Sequence, residues 1–183
     1  MSGTHAIRHA PAIVSGAPAR PDARATLREG LVAGLVAALA VALVLVGQDL
    51  AVGDPLRTAA QLGHGAAVLF GVGGTLSQTA LAIGYAALHL GAFAALGVAS
   101  AYAAKLARRE PGVLAGALLL FAVAEVAFLG VLAIARAATV TGALTWDELL
   151  VGHVVGLLSV GAVIVRAHPE LPASVARTLA GRA

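Results

Sequence analysis

The chain has 183 residues, of which 60% are hydrophobic, 11% charged and 4% aromatic, with a formal net charge of +3 and no cysteine. A soluble domain carries about twice that charged fraction. One small core cannot bury so much apolar surface, so a soluble domain is excluded and lipid is expected as the second solvent. The missing cysteines exclude disulfide frameworks, thiolate metal sites and four-helix thiol oxidoreductases. The basic residues form no cluster on an aromatic-bearing face, which leaves nucleic-acid binding without support.

Residues 1–28 carry Pro11, Pro18 and Pro21 among Arg8, Arg20, Arg24 and Arg28, and are expected to form a mobile basic tail. A basic tail before an apolar run also resembles a secretory signal, but Ala51-Val52-Gly53 is a weak cleavage site and the first helix is expected to be retained. Four long apolar stretches follow, and they predict helices near 29–47, 77–104, 111–136 and 145–166. Each is long enough, or nearly so, to cross a hydrocarbon core of ~30 Å at ~1.5 Å per residue. In lipid every backbone N–H and C=O must be paired within such an isolated segment, so helix is the only option.

Start signals mark the ends. Thr26-Leu-Arg-Glu29 and Thr145-Trp-Asp-Glu148 both fit the capping box, and Pro111 suits a first helical turn. Trp146 falls where amphipathic rings sit at a membrane interface. The long link after the first helix contains Asp54-Pro55, an N-cap followed by a first-turn proline, and Thr58-Ala-Ala-Gln61, another capping box. Leu62, Leu69 and Phe70 give it a short apolar side, and Gly71, Gly73 and Gly74 end it. A short interfacial helix near 55–70 on the outer side is therefore predicted.

Orientation follows from the basic residues. Ten of the twelve Lys and Arg lie in the N-terminal tail, in the link carrying Lys105, Arg108 and Arg109, or in the C-terminal tail 168–183 and its border at Arg166. Only Arg57 and Arg136 lie in the other two links. Both termini are therefore expected in the cytoplasm. The predicted fold is an all-α four-helix transmembrane bundle spanning 29–167, N-in and C-in.

Three ionisable residues fall inside the spans: His89, Glu125 and His153. Counted from the predicted cytoplasmic ends of their helices, all three stand roughly 20–22 Å deep, in one layer, with the first helix offering apolar residues near Leu43. An isolated acid at a helix centre costs about 2.5–3.5 kcal/mol on insertion scales, so Glu125 is expected to face inward onto the two imidazoles. The layer has several readings: internal hydrogen-bonded glue, a zinc or iron site, axial haem ligation by His89 and His153, or a proton relay through Glu125. No Ser or Thr beside the layer makes a nucleophile–base pair, so no catalytic residue and no metal ligand is assigned. Gly91, Gly152-x-x-x-Gly156, Gly30-x-x-x-Gly34 and Gly112-x-x-x-Gly116 suit close helix approach. At the outer rim Asp49, Asp54 and Arg57 read as solvated, an Asp49 pair with Arg57 or Arg136 being worth only ~0–1 kcal/mol if exposed. His5, His9 and His168 lie in tails and receive no role.

Taken together, "EGLVAGLVAALAVALVLVGQDLAVGDPLRTAAQLG", "GYAALHLGAF", "EVAFLG", "LLVGHVVGLL" and "RAHPEL" resemble an uncharacterised family of small four-span bacterial inner-membrane proteins over roughly residues 29–171. The resemblance implies four spans and a regular outer link. It matches Asp49, Gly53-Asp54-Pro55 and Thr58 in that link, and His89 and Glu125 in the second and third helices. Where this chain has Gly152-His153 the family tends to Gly-Asn, and Asn is a poor metal or haem ligand, which favours a structural layer.

The expectation is an integral protein of a bacterial inner membrane, from a GC-rich genome by its Ala, Gly, Val and Arg usage. It is a structural or accessory subunit partnered by the lipid bilayer and by further copies or a larger membrane complex. An intramembrane metal or haem site, or proton-coupled transport, centred on His89, Glu125 and His153 is the alternative.

Overall fold

The computed structural model describes residues 22–72, 74–108 and 145–181, with 110, 112, 113, 116, 123 and 126 as isolated positions between the last two segments. Among the described residues five helices are defined: α1 (Ala23–Ala51), α2 (Arg57–Leu69), α3 (Gln78–Ala107), α4 (Trp146–Ala167) and α5 (Leu171–Leu179). Of these, α1, α3 and α4 are long and apolar enough to cross a membrane. Of the predicted helix near 111–136 only positions 112, 113, 116, 123 and 126 are described, each of them helical, and Glu125 lies outside the described residues.

The helix ends follow local chemistry, partly differently from expectation. Asp22 is the N-cap of α1, its carboxylate accepting from the Arg24 N–H at 3.0 Å. The helix therefore starts inside the predicted tail. Thr26 lies within its first turns, where its hydroxyl donates to the Asp22 carbonyl, so the capping box expected at Thr26–Glu29 does not form. The box at Thr145–Glu148 does form, and Ser77 caps α3 by accepting from the Ala80 N–H. At α2, the Asp54 carboxylate accepts from the Leu56 N–H across a turn that leads into a helix starting at Arg57. Thr58 sits inside that helix and its hydroxyl is used elsewhere, so the second expected box is also absent. Beyond α2, Gly71 takes φ +67°, a left-handed turn that glycine adopts without a Cβ clash.

Packing reveals the solvent for which the fold is built. The buried stripe of α1 is Gly30, Ala33, Gly34, Ala37, Ala38 and Val41, at three- and four-residue spacing. Its exposed side carries Leu31, Leu35, Leu39, Leu43 and Leu50. Small residues inside and large apolar ones outside invert the arrangement of a water-soluble helix and suit close packing in lipid. The chain is thus a multi-pass membrane protein, all-helical among its described residues.

Three contacts fix the direction of α3 against α1. Gly30 meets Gly97 and Val98, Gly34 meets Phe93 and Ala94, and Ala38 meets His89. The numbers climb on one helix as they fall on the other, so the two are antiparallel. The approach is close enough that a Cβ on Gly97 would lie 2.1 Å from the Gly30 carbonyl oxygen. The Gly30/Gly34 spacing thus forms a packing seam as expected. Gly91, Gly112 and Gly116 meet nothing within 4 Å among the described residues, and so play no such part there. Helix α4 is likewise antiparallel to α1, with Gly156 against Val41, Gly152 against Val41 and Leu45, and His168 against Glu29. It follows that α3 and α4 run parallel. Helix α2 lies across the far end of α3, where a Cβ on Gly63 would meet the Leu81 carbonyl oxygen at 2.1 Å. Its packed face is Thr58, Ala60, Gly63 and Gly65, whereas Leu69 and Phe70 are exposed.

Residues 171–179, expected to be tail, form α5, with Leu171 buried in the same core cluster as Ala33, Ala101 and Ile164.

Candidate functional site

The polar chemistry is gathered at three heights along α1. The end where α1 begins is called proximal here, and the opposite end distal.

At the distal end Asp49 is 1% exposed. Its carboxylate accepts the Thr58 hydroxyl at 2.7 Å, the Thr58 N–H at 2.8 Å and Arg57 Nε at 3.1 Å. Arg57 also donates through its NH2 group to Glu148, whose other oxygen accepts the Thr145 N–H within the capping box. Hydrogen bonding to Glu148 is the main influence holding the Arg57 guanidinium above its usual pKa, over the opposing effect of desolvation. Asp54 accepts from the Gln78 amide at 2.9 Å, joining the link to the start of α3. Asp49 is thus buried rather than solvated as expected, whereas the bonds of Asp54 are exposed. A buried carboxylate is costly without partners, and Asp49 is held by three donors from α2 while Arg57 carries the connection on to α4.

At mid-height His89 uses both ring nitrogens. Nε2 lies 3.1 Å from the Ala38 carbonyl of α1, which can only accept, so Nε2 carries the proton. In the neutral ring Nδ1 then accepts the Tyr85 hydroxyl at 3.2 Å, one turn back on α3. The imidazole also packs on Phe93 at a centroid distance of 4.7 Å, and Phe93 abuts Gly156 of α4. Tyr85, His89 and Phe93 form a stripe at i, i+4, i+8 that joins α3 to its neighbours.

His153, half-buried on α4, follows Gly152, which packs between Val41 and Leu45. His89 is level with Ala38, so the histidines stand at heights roughly 7 Å apart at ~1.5 Å per residue. They do not share one layer as expected, and the α1 partner is the Ala38 carbonyl rather than Leu43, which is 73% exposed. The physical reason is stagger. Val98, not Ala104, is level with Gly30, and α3 continues alongside the first turns of α1, where Lys105 meets Thr26. Glu125 lies outside the described residues. Among the described residues no three of His, Asp and Glu are grouped to hold a metal ion.

The proximal cluster has no counterpart in the sequence expectations. Glu29 accepts from His168 Nε2 at 2.7 Å and pairs with Lys105 Nζ at 3.2 Å, and Lys105 also donates to the Thr26 hydroxyl at 3.0 Å. His168, assigned to a tail without a role, is only 4% exposed. Arg108 pairs with Glu170 at 3.1 Å, adding a second tie from α3 to the segment leading into α5. The one sequence signal for this docking was the Leu171 that follows His168-Pro169-Glu170.

Glu29 and Asp49 are twenty residues apart on α1, as are Glu148 on α4 and His168 at its C-cap. Each separation is ~30 Å of helix rise, the thickness of a bilayer's hydrocarbon core. The two ion-paired clusters therefore bracket an apolar band of membrane thickness.

No family model matches the chain, and no curated protein or solved structure matches it significantly.

Proposed function

We propose that this chain is a four-span protein of a bacterial inner membrane, with both termini in the cytoplasm. In this reading it acts as a structural or accessory subunit, without catalysis of its own. The fourth span is supported by topology. Helices α3 and α4 are successive described spans that run parallel, so the chain from Arg108 to Thr145 has to return from the proximal to the distal end. It contains the apolar run 111–135, interrupted only by Glu125. The orientation is supported by Arg24, Arg28, Lys105, Arg108 and Arg166, which all lie toward the proximal end.

One observation carries the non-catalytic reading: among the described residues, His89, Asp49 and Glu29 are engaged in holding helices together. His89 uses both nitrogens on Tyr85 and Ala38, and Asp49 and Glu29 are tied to neighbouring elements. In this reading Glu125 belongs to the same internal scaffolding, and His153 with it.

The test is the absorbance spectrum and metal content of the purified full-length protein, together with proton flux into vesicles. The expected result is no Soret band, no stoichiometric iron or zinc, and no flux that Glu125→Gln abolishes. A haem spectrum, a bound metal lost on substituting His89 or His153, or Glu125-dependent flux would replace this reading with a cofactor or transport site.

A further inference from the structure

The proximal end carries a crevice between α1 and α4 that neither the ion-paired clusters nor the proposed role accounts for. It has a volume of about 470 Å³, and its walls include Val32 and Val163 below, with Arg28 and Arg166 at its mouth. Among the described residues the only acid lining it is Glu29, which is already bound to Lys105 and His168. Arg28 and Arg166 are exposed, and among the described residues neither carries an ion pair or a side-chain hydrogen bond. A second groove runs beside it along α1, again with arginines, Arg24 and Arg28, above leucines, Leu31 and Leu35.

We infer that this crevice seats one anionic phospholipid, its phosphate between Arg28 and Arg166 and an acyl chain against Val32 and Val163. Three observations converge on that occupant. Arg28 adjoins Glu29 in sequence, at the edge of the ~30 Å band, which is where a lipid phosphate lies. Guanidinium groups present several donors to a phosphate in a geometry that favours paired hydrogen bonds. The apolar walls below them continue into the band, so the crevice matches an amphiphile rather than a soluble anion. Basic pockets between transmembrane helices are a recognised form of headgroup site.

The experiment is native mass spectrometry of the full-length protein in detergent, with phosphatidylglycerol and phosphatidylcholine of identical chains as probes. Each arginine near an anionic headgroup contributes roughly fivefold to affinity, so Arg28→Gln/Arg166→Gln is expected to weaken phosphatidylglycerol retention by about 25-fold. Phosphatidylcholine retention stays as it was, Arg28→Lys/Arg166→Lys keeps most of the binding, and Arg177→Gln on α5 changes nothing. On the unmodified protein, added sodium chloride lowers retention of the anionic lipid selectively, a measurement that does not depend on any variant folding. Equal retention of both lipids, insensitivity to salt, or a well-folded Gln variant that holds phosphatidylglycerol normally would each overturn the assignment. Displacement of the lipid by millimolar inorganic phosphate would also overturn it, by identifying a soluble-anion site.

Discussion

Asp49 and Thr58 are joined twice, the carboxylate accepting both the hydroxyl and the backbone N–H of the threonine at 2.7 and 2.8 Å. This pair holds the first turn of α2 against the last turns of α1, and Arg57 extends the link to Glu148 on α4. Removing the hydroxyl with Thr58→Val is expected to cost roughly 1.5–3 kcal/mol, the usual range for a hydrogen bond to a charged group. Asp49→Ala is expected to cost more, about 3–5 kcal/mol, since it breaks a buried pair from one side. Thr58→Ser preserves both bonds and should behave much like the parent. Reversible unfolding in detergent, followed by circular dichroism, checks the order.

The glycine seam makes a second prediction. A side chain at Gly34 or Gly97 would run into backbone atoms of the facing helix at 2.1–2.9 Å, where no rotamer change gives relief. Gly34→Ala and Gly97→Ala should therefore force α1 and α3 apart and destabilise by several times the ~1 kcal/mol that alanine gains over glycine in a helix. Among the described residues Gly91 meets nothing within 4 Å, and Gly91→Ala should be neutral or slightly stabilising. Melting temperatures of the three variants decide the matter: equal values would contradict the close approach.

Docking of α5 depends on His168 meeting Glu29, on Arg108 meeting Glu170 and on the burial of Leu171. Glu29→Gln removes the charge shared by His168 and Lys105, while His168→Ala removes the link itself. Both should raise amide hydrogen exchange across 168–179 without changing it around Asp49 and Thr58. Faster exchange at both ends together would mean that the proximal cluster supports the whole bundle rather than the terminal segment.

The parallel course of α3 and α4 predicts which side each flanking residue faces. The chain has no cysteine, so single cysteines placed at Glu110 and Thr145 can be labelled cleanly. An impermeant maleimide applied to intact cells should reach one of the pair only from outside and the other only after lysis. Labelling of both from the same side would remove the fourth span.

Much of the architecture could be read from the residues alone, and the failures have physical causes. The span limits of α3 and α4 came within a few residues because hydropathy and capping are local, and the Thr145–Glu148 box formed as its spacing indicated. The box at Thr26 failed because Asp22 offered an earlier carboxylate cap. Asp49 looked solvated because its three donors come from Arg57 and Thr58, whose placement depends on how the link folds back. His168 was overlooked for the same kind of reason, its partner lying 139 positions away on α1. The single-layer arrangement assumed that α3 and α4 end at one height, whereas Val98, well inside α3, is level with Gly30, and His168, just past α4, meets Glu29.

Because Glu29 and Asp49 sit on one uninterrupted helix, α1 works as a gauge: its residue count sets the separation of the two ends and the angle between the side chains that serve them. Adding or deleting one residue between them would turn the far segment by about 100° and shift it by about 1.5 Å. Either Glu29 would swing away from Lys105 and His168, or Asp49 would leave Thr58, and no rearrangement of side chains alone would restore both. Changes of length should therefore be poorly tolerated within 30–48.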